Sequence, residues 1–225
     1  MGHSINIPTQ RTRCIGGYLA KPKGKPKGGV IVVQEIFGVT AHIRSVADRL
    51  AAVGYTALAP AFYDHLEAGL ELAYDKSGVT RGKRLADELG MDRALEYVAN
   101  ATDAIRSAGK IGVVGFCWGG TVALLSAIRL GLPAVSYYGA RNVPYLGVNP
   151  KAPVIFHFGE KDRSIPPEAI AQHRELLPDM PVYTYPGAGH AFNRDVKDDP
   201  HYHAASAKLA WQRTLDFFDQ QVAHA

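Results

Sequence analysis

The stretch Gly115-Phe116-Cys117-Trp118-Gly119 has the form glycine–x–nucleophile–x–glycine. Where a strand turns sharply into a helix, the central residue is forced into a strained backbone conformation, and small residues two positions away avoid a collision. The central side chain is then exposed at the helix N-terminus, where the helix dipole favours a thiolate. The pattern therefore predicts a strand, a tight elbow and a helix, with Cys117 as a nucleophile.

Cys117 also has a plainer interpretation, as a buried structural cysteine in a glycine-rich turn. The flanking sequence favours the elbow. Residues 110–115 form a continuous apolar run typical of a buried strand, and residues 121–130 are apolar on all sides, as in a buried helix. The second cysteine, Cys14, lies in an early strand-like segment, and we expect it to be unreactive.

Short apolar runs alternate with segments of helical periodicity along the whole chain. Residues 60–82 are polar and rich in glycine, and are predicted to form an irregular connection. The alternation predicts an α/β fold with a mainly parallel sheet, helices on both faces and a single domain over residues 1–225. The predicted strands are 29–34, 55–59, 110–115, 134–138, 154–158 and 181–186, and the predicted helices are 41–53, 83–106 with a break near Gly90, 121–130, 166–177 and 204–222.

An aspartate and a histidine follow the nucleophile in the order that an α/β-hydrolase fold requires. Asp162 lies in a turn after one predicted strand, and His190 lies in a glycine-rich loop after the last one. Glu160 competes for the acidic role, but Asp162 is placed deeper in its turn. In such a set the histidine moves a proton and the aspartate fixes its tautomer. The sequence therefore predicts an α/β-hydrolase fold with a triad of Cys117, Asp162 and His190.

The segment QEIFG at residues 34–38 follows the first long strand. In this fold one N–H of the oxyanion hole comes from that loop and the other from the residue after the nucleophile, so the backbones of Ile36 and Trp118 are the candidates. Glu35 is unusual, because a carboxylate in an apolar stretch is costly unless it is paired. It is either a structural partner of an arginine or an active-site carboxylate near the nucleophile, and we favour the second interpretation.

Four motifs together resemble one known family. They are QEIFGV at 34–39, GFCWGG at 115–120, GEKD at 159–162 and PGAGHAF at 186–192, with YYG at 137–139 as a further match, and they resemble the dienelactone hydrolases, also called carboxymethylenebutenolidases. The resemblance runs in order over nearly the whole chain. It implies a hydrolase of a lactone or small ester that works through a Cys117 thioester, with Glu35 taking the thiol proton as the substrate binds.

The resemblance also implies that two arginines bind a carboxylate of the substrate. Arg194, on the loop after the triad histidine, matches one of them, and Arg81 is our choice for the other, with Arg84 close behind. A planar guanidinium suits bidentate binding of a carboxylate. The alternative for Arg194 is a surface ion pair with Asp195 or Asp198.

Two residues depart from the family's pattern, and three functions stay open. Trp118 and Asn193 stand where the pattern has smaller residues, which affects the expected substrate more than the mechanism. The chain is a hydrolase of a carboxylate-bearing lactone, a general small-ester or thioester hydrolase, or a catalytically silent binding module. A complete triad accompanied by Glu35 argues against the silent module.

The composition of the 225-residue chain is that of an ordinary globular protein, with 47% hydrophobic and 20% charged residues and a net charge of +4. The basic residues form no dense stripe of the kind that binds nucleic acid. No apolar run approaches the length of a membrane span, and the first residues lack the regions of a signal peptide. We therefore expect a cytoplasmic enzyme for a small-molecule substrate, with neither nucleic acid nor membrane as a partner.

No pattern in the sequence calls for a cofactor. The glycines of residues 112–120 lack the lysine of a phosphate-binding loop. His201 and His203, with Asp198 and Asp199 nearby, suggest a metal site, but two histidines in a polar loop are weak evidence and a solvated surface is favoured. We therefore expect neither a cofactor nor a metal.

Overall fold

A computed structural model describes residues 1–9 and 14–223 of the chain. It divides into two compact units. The first comprises the described residues of Met1–Val113 together with Val222 and Ala223, and the second is Val114–Gln221. That residues 1–225 form a single domain stays a prediction.

The first unit is built on the strands β1 (His3–Pro8), β2 (Cys14–Ala20), β3 (Gly28–Val33) and β4 (Tyr55–Pro60). They lie in the order β1-β2-β4-β3, and β3 and β4 run parallel whereas the two other pairings are antiparallel. Every residue of β3 and β4 is buried, as their continuous apolar runs predict. The sequence analysis assigned no strand to β1, in which Ile7 alone among the six residues is buried.

Helix α1 (Ala41–Ala52) follows β3 and buries Ile43, Val46 and Leu50 at the predicted helical spacing. The longer helix α2 (Lys76–Ala104) contains the predicted break, since Gly90 has φ 71° and ψ 162°. It begins earlier than predicted, so that residues 76–82 are helical rather than irregular. Asp75 caps its first turn by accepting a hydrogen bond from the Gly78 N–H.

The glycines of the first turns of α2 are the reason for this difference. We interpreted them as breakers, but they permit close packing. A β carbon at Gly78 would lie 1.9 Å from the carbonyl oxygen of Ala73, and one at Gly82 would lie 2.3 Å from that of Ile36. These positions require glycine because of their neighbours, which a helical pattern in the sequence does not reveal.

The second unit carries the predicted nucleophile, aspartate and histidine. Its strands lie in the order β5-β6-β7-β8. Of these, β6, β7 and β8 run parallel to one another. The carboxyl ends of parallel strands meet at one edge, where ligands bind in such sheets. The elements are β5 (Ile111–Phe116), which begins in the first unit, α3 (Trp118–Leu125), a π-helical turn (Ser126–Leu130), β6 (Ala134–Tyr137), a short 3-10 turn (Val143–Tyr145), β7 (Val154–Gly159), α4 (Pro167–Leu176), β8 (Val182–Tyr185) and α5 (Ala204–Gln221). A further 3-10 turn, Arg106–Ala108, lies in the first unit.

Among the helices of residues 1–9 and 14–223, none combines the length and the apolar character needed to cross a membrane.

Candidate active site

Cys117 occupies the elbow between β5 and α3 with φ 56° and ψ −117°, a conformation that residues other than glycine rarely adopt. Its backbone N–H donates a hydrogen bond of 3.0 Å to the carbonyl oxygen of Tyr137, which helps to hold the turn. A β carbon at Gly115 would lie only 1.8 Å from the carbonyl oxygen of Gly119. The structure thus shows the strained turn and the steric need for glycine that the pentapeptide predicts, with Cys117 partly exposed.

His190 and Asp162 are joined by a hydrogen bond of 2.7 Å between Nδ1 of the imidazole and Oδ2 of the carboxylate. The Asp162 side chain is fully buried, and its Oδ1 atom accepts a hydrogen bond of 2.8 Å from the Ser164 N–H. Glu160, the competitor for the acidic role, is exposed. The carboxylate of Asp162 is therefore held from both oxygens and can fix the histidine with its Nε2 atom turned away from the aspartate.

The Cys117 side chain also interacts electrostatically with the same imidazole. Burial alone would lower the pKa of His190, but the Cys117 and Asp162 side chains outweigh it and raise that pKa to about 10. A cysteine beside an imidazole that a carboxylate holds in place is the arrangement of an activated nucleophile. The arrangement can therefore attack a carbonyl carbon and return a proton to a leaving group.

Strained backbone conformations also occur beside Cys117, Asp162 and His190. Tyr138 has φ 39° and Ala191 has φ 60°, in addition to the strained Cys117. The ring of Tyr138 lies 5.1 Å from that of His190 and 5.6 Å from that of Phe192, measured between centroids. The sequence signals Tyr138 only through the YYG match, and no role was predicted for it.

Glu35 and Ile36 lie in the first unit, directly after β3. Glu35 is 1% exposed and Ile36 is 6% exposed. Trp118 lies in the second unit as the first residue of α3, where backbone N–H groups point outward along the helix axis. Glu35 is thus a buried carboxylate, whereas Ile36 lies in a loop and Trp118 at a helix start, and the roles of all three stay predictions.

Arg194 is buried, and its Nε atom donates a hydrogen bond to Asp199. The ion pair that the structure shows is therefore with Asp199, which was not among the predicted partners, and both of its side chains are buried. Burial would raise the pKa of Asp199, but the bonds from the Arg194 guanidinium and the His201 N–H hold it below its usual 3.8. Asp199 thus bonds both the Arg194 side chain and the His201 backbone.

Arg81 lies on the first turns of α2, where it is about half exposed and forms an ion pair with Glu67. It lines an open cleft of about 700 Å³ together with Lys76, Ser77, Thr80 and Arg84. Three of these five residues are basic, so the cleft favours an anion. The structure places both candidate arginines of this region, Arg81 and Arg84, on one surface of the first unit.

The arrangement of strands and helices has close counterparts among solved structures. A provisionally named dienelactone hydrolase from Klebsiella pneumoniae aligns with a TM-score of 0.85 and 34% identity over 98% of each chain. A dienelactone hydrolase-like promiscuous phosphotriesterase from metagenomic libraries aligns with a TM-score of 0.78 over 99% of each chain, and at 21% identity it shows the fold alone. The chain has the α/β-hydrolase fold, as the order of nucleophile, acid and base predicts.

Sequence relatives narrow this class to one family. The model of the dienelactone hydrolase family matches residues 15–222. A provisionally named carboxymethylenebutenolidase of Synechocystis is 34% identical, covering 97% of this chain and 96% of its own, and one of Escherichia coli is 36% identical, covering 96% and 85%. The chain belongs to the dienelactone hydrolase family, and these comparisons indicate a hydrolase.

Proposed function

We propose that this protein hydrolyses a lactone or small ester that bears a carboxylate, through an acyl thioester on Cys117. The observation that supports the proposal most is the position of His190, which hydrogen-bonds Asp162 and interacts electrostatically with Cys117. One imidazole thereby serves the nucleophile on one side and is fixed by a carboxylate on the other. A binding module that did no chemistry would have no need for this arrangement or for the strained elbow beneath it.

In the first step the Cys117 sulfur attacks the carbonyl carbon of the ester, and the carbonyl oxygen becomes an oxyanion. The backbone N–H groups of Ile36 and Trp118 are proposed to stabilise it, and loss of one such donor typically costs about 3 kcal/mol. The carbon–oxygen bond then breaks, and the leaving oxygen takes its proton from the His190 imidazolium. The product is a thioester on Cys117 and a free hydroxyl, which stays on the same molecule when the substrate is a lactone.

In the second step a water molecule attacks the thioester carbonyl while His190, now neutral, accepts its proton. The carbon–sulfur bond breaks, Cys117 leaves as a thiolate and His190 is again an imidazolium. The net reaction consumes one water and releases a carboxylic acid together with the hydroxyl. Glu35 is proposed as a second proton acceptor, which takes the thiol proton when a substrate meets the cysteine in its protonated form and returns it to the Cys117 thiolate after the thioester is hydrolysed.

The basic cleft along α2 is our reason for proposing that the substrate carries a carboxylate. An exposed ion pair contributes about 0–1 kcal/mol, so an anionic ligand can displace Glu67 from Arg81 at little cost. Arg194 differs, because its partner Asp199 is buried with it and such a pair is costly to separate. Arg81 is therefore the stronger candidate for a direct contact with the substrate, and Arg194 is proposed to contribute alongside Asp199.

A general small-ester or thioester hydrolase on the same triad is the second candidate. The observation that favours it is that both arginines already have carboxylate partners within the chain, Glu67 and Asp199. Under this alternative the basic cleft is a solvated surface, and neutral esters are hydrolysed as fast as anionic ones.

Acyl-enzyme trapping tests the mechanism. The protein is mixed with p-nitrophenyl acetate or a dienelactone, quenched in acid, and the modified peptide is identified by mass spectrometry. We expect the acyl group on Cys117, no turnover by Cys117→Ala, and full turnover by Cys14→Ala, which removes the other thiol. An acyl group on any other residue, or turnover that survives Cys117→Ala, would refute the thioester route.

The two substrates also separate the two candidates. A clear preference in kcat/KM for the anionic dienelactone over p-nitrophenyl acetate supports the first. Equal kcat/KM values support the general esterase.

A further inference from the structure

A buried histidine that the proposed mechanism does not use links the strands leading to the Asp162 and His190 loops. His157 lies on β7, which leads to Asp162, and is fully buried. Its Nδ1 atom lies 2.7 Å from the hydroxyl of Tyr185, the last residue of β8, which leads to His190. Its Nε2 atom lies 3.3 Å from Oγ1 of Thr214 on α5. One imidazole therefore joins two strands and a helix.

The hydrogen-bond directions in this network are fixed by its outer members. A guanidinium can only donate hydrogen bonds, so the Nη1 atom of Arg213 is the donor in its 3.2 Å bond to the Tyr185 hydroxyl. The Tyr185 hydroxyl then donates its own proton in the hydrogen bond to Nδ1 of His157. The imidazole proton consequently lies on Nε2 and is donated to Thr214, whose own proton goes to the carbonyl oxygen of Ala210 at 2.9 Å. One tautomer satisfies every group in the chain of bonds.

The protonation states agree with these directions. Burial, and then the positive charge of Arg213, lower the pKa of His157 to about 3. Burial raises the pKa of Tyr185 to about 12, although the hydrogen bond from Arg213 acts in the opposite direction. The imidazole and the phenol are therefore both neutral across the ordinary pH range, and the network keeps one form while the active site titrates.

Tyr185 connects this network to both loops through its backbone. Its carbonyl oxygen accepts a hydrogen bond of 3.1 Å from the N–H of Glu160, in the Asp162 loop, and one of 3.3 Å from the N–H of Ala188, in the His190 loop. The Lys161 N–H also donates to the Ala188 carbonyl oxygen at 2.8 Å. The two loops thus meet at the backbone of one residue whose side chain is anchored elsewhere.

We propose that Tyr185, anchored through its hydroxyl by His157 and Arg213, is a positioning residue that holds the Asp162 and His190 loops in register for the hydrogen bond between them. The effect of Tyr185 on turnover rests on the proposed function, whereas its positioning of the two loops does not. Small displacements of reacting groups change rates strongly. The hydroxyl of Tyr185 therefore controls turnover without touching the substrate.

The variant Tyr185→Phe isolates the hydroxyl, because it keeps the ring, its packing against Phe192 at 5.0 Å and the backbone carbonyl. We expect kcat for p-nitrophenyl acetate to fall about tenfold while KM changes less than about twofold, since the substrate-binding groups are untouched. An unchanged kcat would overturn the proposal, and so would a loss that lies entirely in KM.

Tyr183→Phe is the matched control. Tyr183 lies on the same strand, its ring stacks on His157 at 5.5 Å and it lies under the Arg213 guanidinium at 4.2 Å. In the part of the chain that the structure describes, its hydroxyl has no hydrogen-bond partner. We expect this variant to keep the wild-type kcat. An equal loss in both variants would mean that strand packing, and not the Tyr185 hydroxyl, is responsible.

Nuclear magnetic resonance of nitrogen-labelled histidine gives a readout that needs no substrate. The wild-type His190 imidazole is expected to titrate near pH 10, because its partners raise its pKa to about 10. In Tyr185→Phe we expect a lower midpoint and faster exchange of the Nδ1 proton, because the bond to Asp162 is weakened. If the His190 titration is identical in wild type, Tyr185→Phe and Tyr183→Phe, the proposal is refuted.

Substitutions at His157 provide a rescue test. His157→Gln keeps an acceptor for Tyr185 and a donor for Thr214, whereas His157→Leu removes both. We expect the Gln variant to recover most of the kcat and the His190 midpoint that the Leu variant loses, and no recovery would contradict the proposal. If the wild type hydrolyses no ester at all, the proposed function fails, while the His190 titration still decides the positioning role.

Discussion

The guanidinium of Arg194 is paired with the carboxylate of Asp199, and both side chains are more than nine-tenths buried. The pair lies on the loop that follows His190, so it closes that loop over five residues of chain. A buried ion pair persists because separating it leaves an uncompensated charge. Arg194 is therefore a structural element of the loop whether or not it also contacts a substrate.

Asp199→Asn should lower the free energy of unfolding at pH 7 by about 3–5 kcal/mol, because it removes the carboxylate charge that the buried Arg194 guanidinium binds. The pKa of Asp199 is depressed in the folded state, so its contribution is present above its unfolded value of 3.8 and is lost as the pH falls through the folded pKa. Urea denaturation from pH 7 down to pH 3 should show the variant and wild type converging in acid. Asp195→Asn, an exposed change in the same loop, should have little effect at either end. A constant difference across this pH range would contradict the ion-pair account.

Arg81→Ala should lower kcat/KM for an anionic lactone about ten- to a hundredfold, because a charge-assisted hydrogen bond contributes roughly 1.5–3 kcal/mol. Hydrolysis of p-nitrophenyl acetate should be unaffected. Glu67→Gln should have the opposite effect, a lower KM for the anionic substrate, since it releases Arg81 from its ion pair. Steady-state kinetics on both substrates check this. Equal losses on both would show that Arg81 supports the fold of α2 rather than the ligand.

Iodoacetamide at pH 7 should alkylate Cys117 much faster than Cys14, because Cys117 interacts with the His190 imidazole, whose pKa is about 10. His190→Ala should slow the Cys117 reaction about tenfold or more, since an ordinary thiol is only a few per cent ionised at pH 7. Peptide mapping by mass spectrometry at timed intervals measures both rates. Faster labelling of Cys14, or a rate at Cys117 that is unchanged in His190→Ala, would disprove the thiolate–imidazolium pair.

Gly115→Ala should destabilise the protein by about 3 kcal/mol or more, because a β carbon there meets a backbone oxygen that cannot move aside. It should also slow alkylation of Cys117, since relief of the clash displaces the elbow. Gly147→Ala is the matched control, because a β carbon at Gly147 meets nothing within 4 Å. Thermal denaturation of the two variants provides the comparison. If Gly115→Ala is as stable as Gly147→Ala, the steric account of the elbow is wrong.

Glu35→Gln should leave the thermal midpoint close to that of the wild type and reduce kcat, if Glu35 accepts the thiol proton as proposed. The amide keeps the shape of the side chain but cannot take a proton. Calorimetry and turnover measured on the same preparation separate the two effects. Full kcat with a lowered midpoint would mean that Glu35 is a structural partner of an arginine.

Features of the site that depend on local chain geometry could be predicted from the sequence. The elbow was predictable because a strand-to-helix turn imposes its requirement on Gly115 and Gly119, within five consecutive residues. The start of α2 was not, because Gly78 is required by the carbonyl oxygen of Ala73 and Gly82 by that of the distant Ile36, and only the folded chain brings these atoms together.

Contacts between distant elements were also missed. The bonds between His157 and Thr214 and between Tyr137 and Thr214 join residues 57 and 77 positions apart. The sequence pattern around each of these residues indicates only a strand or a helix and gives no sign of the partner. The partner of Arg194 was missed for a different reason, since three aspartates follow it closely and only the folded loop selects Asp199.

The positive φ of Cys117 makes its chemistry a report on whether the molecule is folded. An unfolded or partly folded chain has no reason to hold that residue at φ 56°, and its cysteine then has neither the elbow nor the imidazolium. The fast phase of alkylation therefore counts native molecules, and a slow phase counts those that have lost the turn. A single labelling experiment on a cell extract, a heated sample or a variant library can therefore rank samples by their fraction of folded molecules without any substrate.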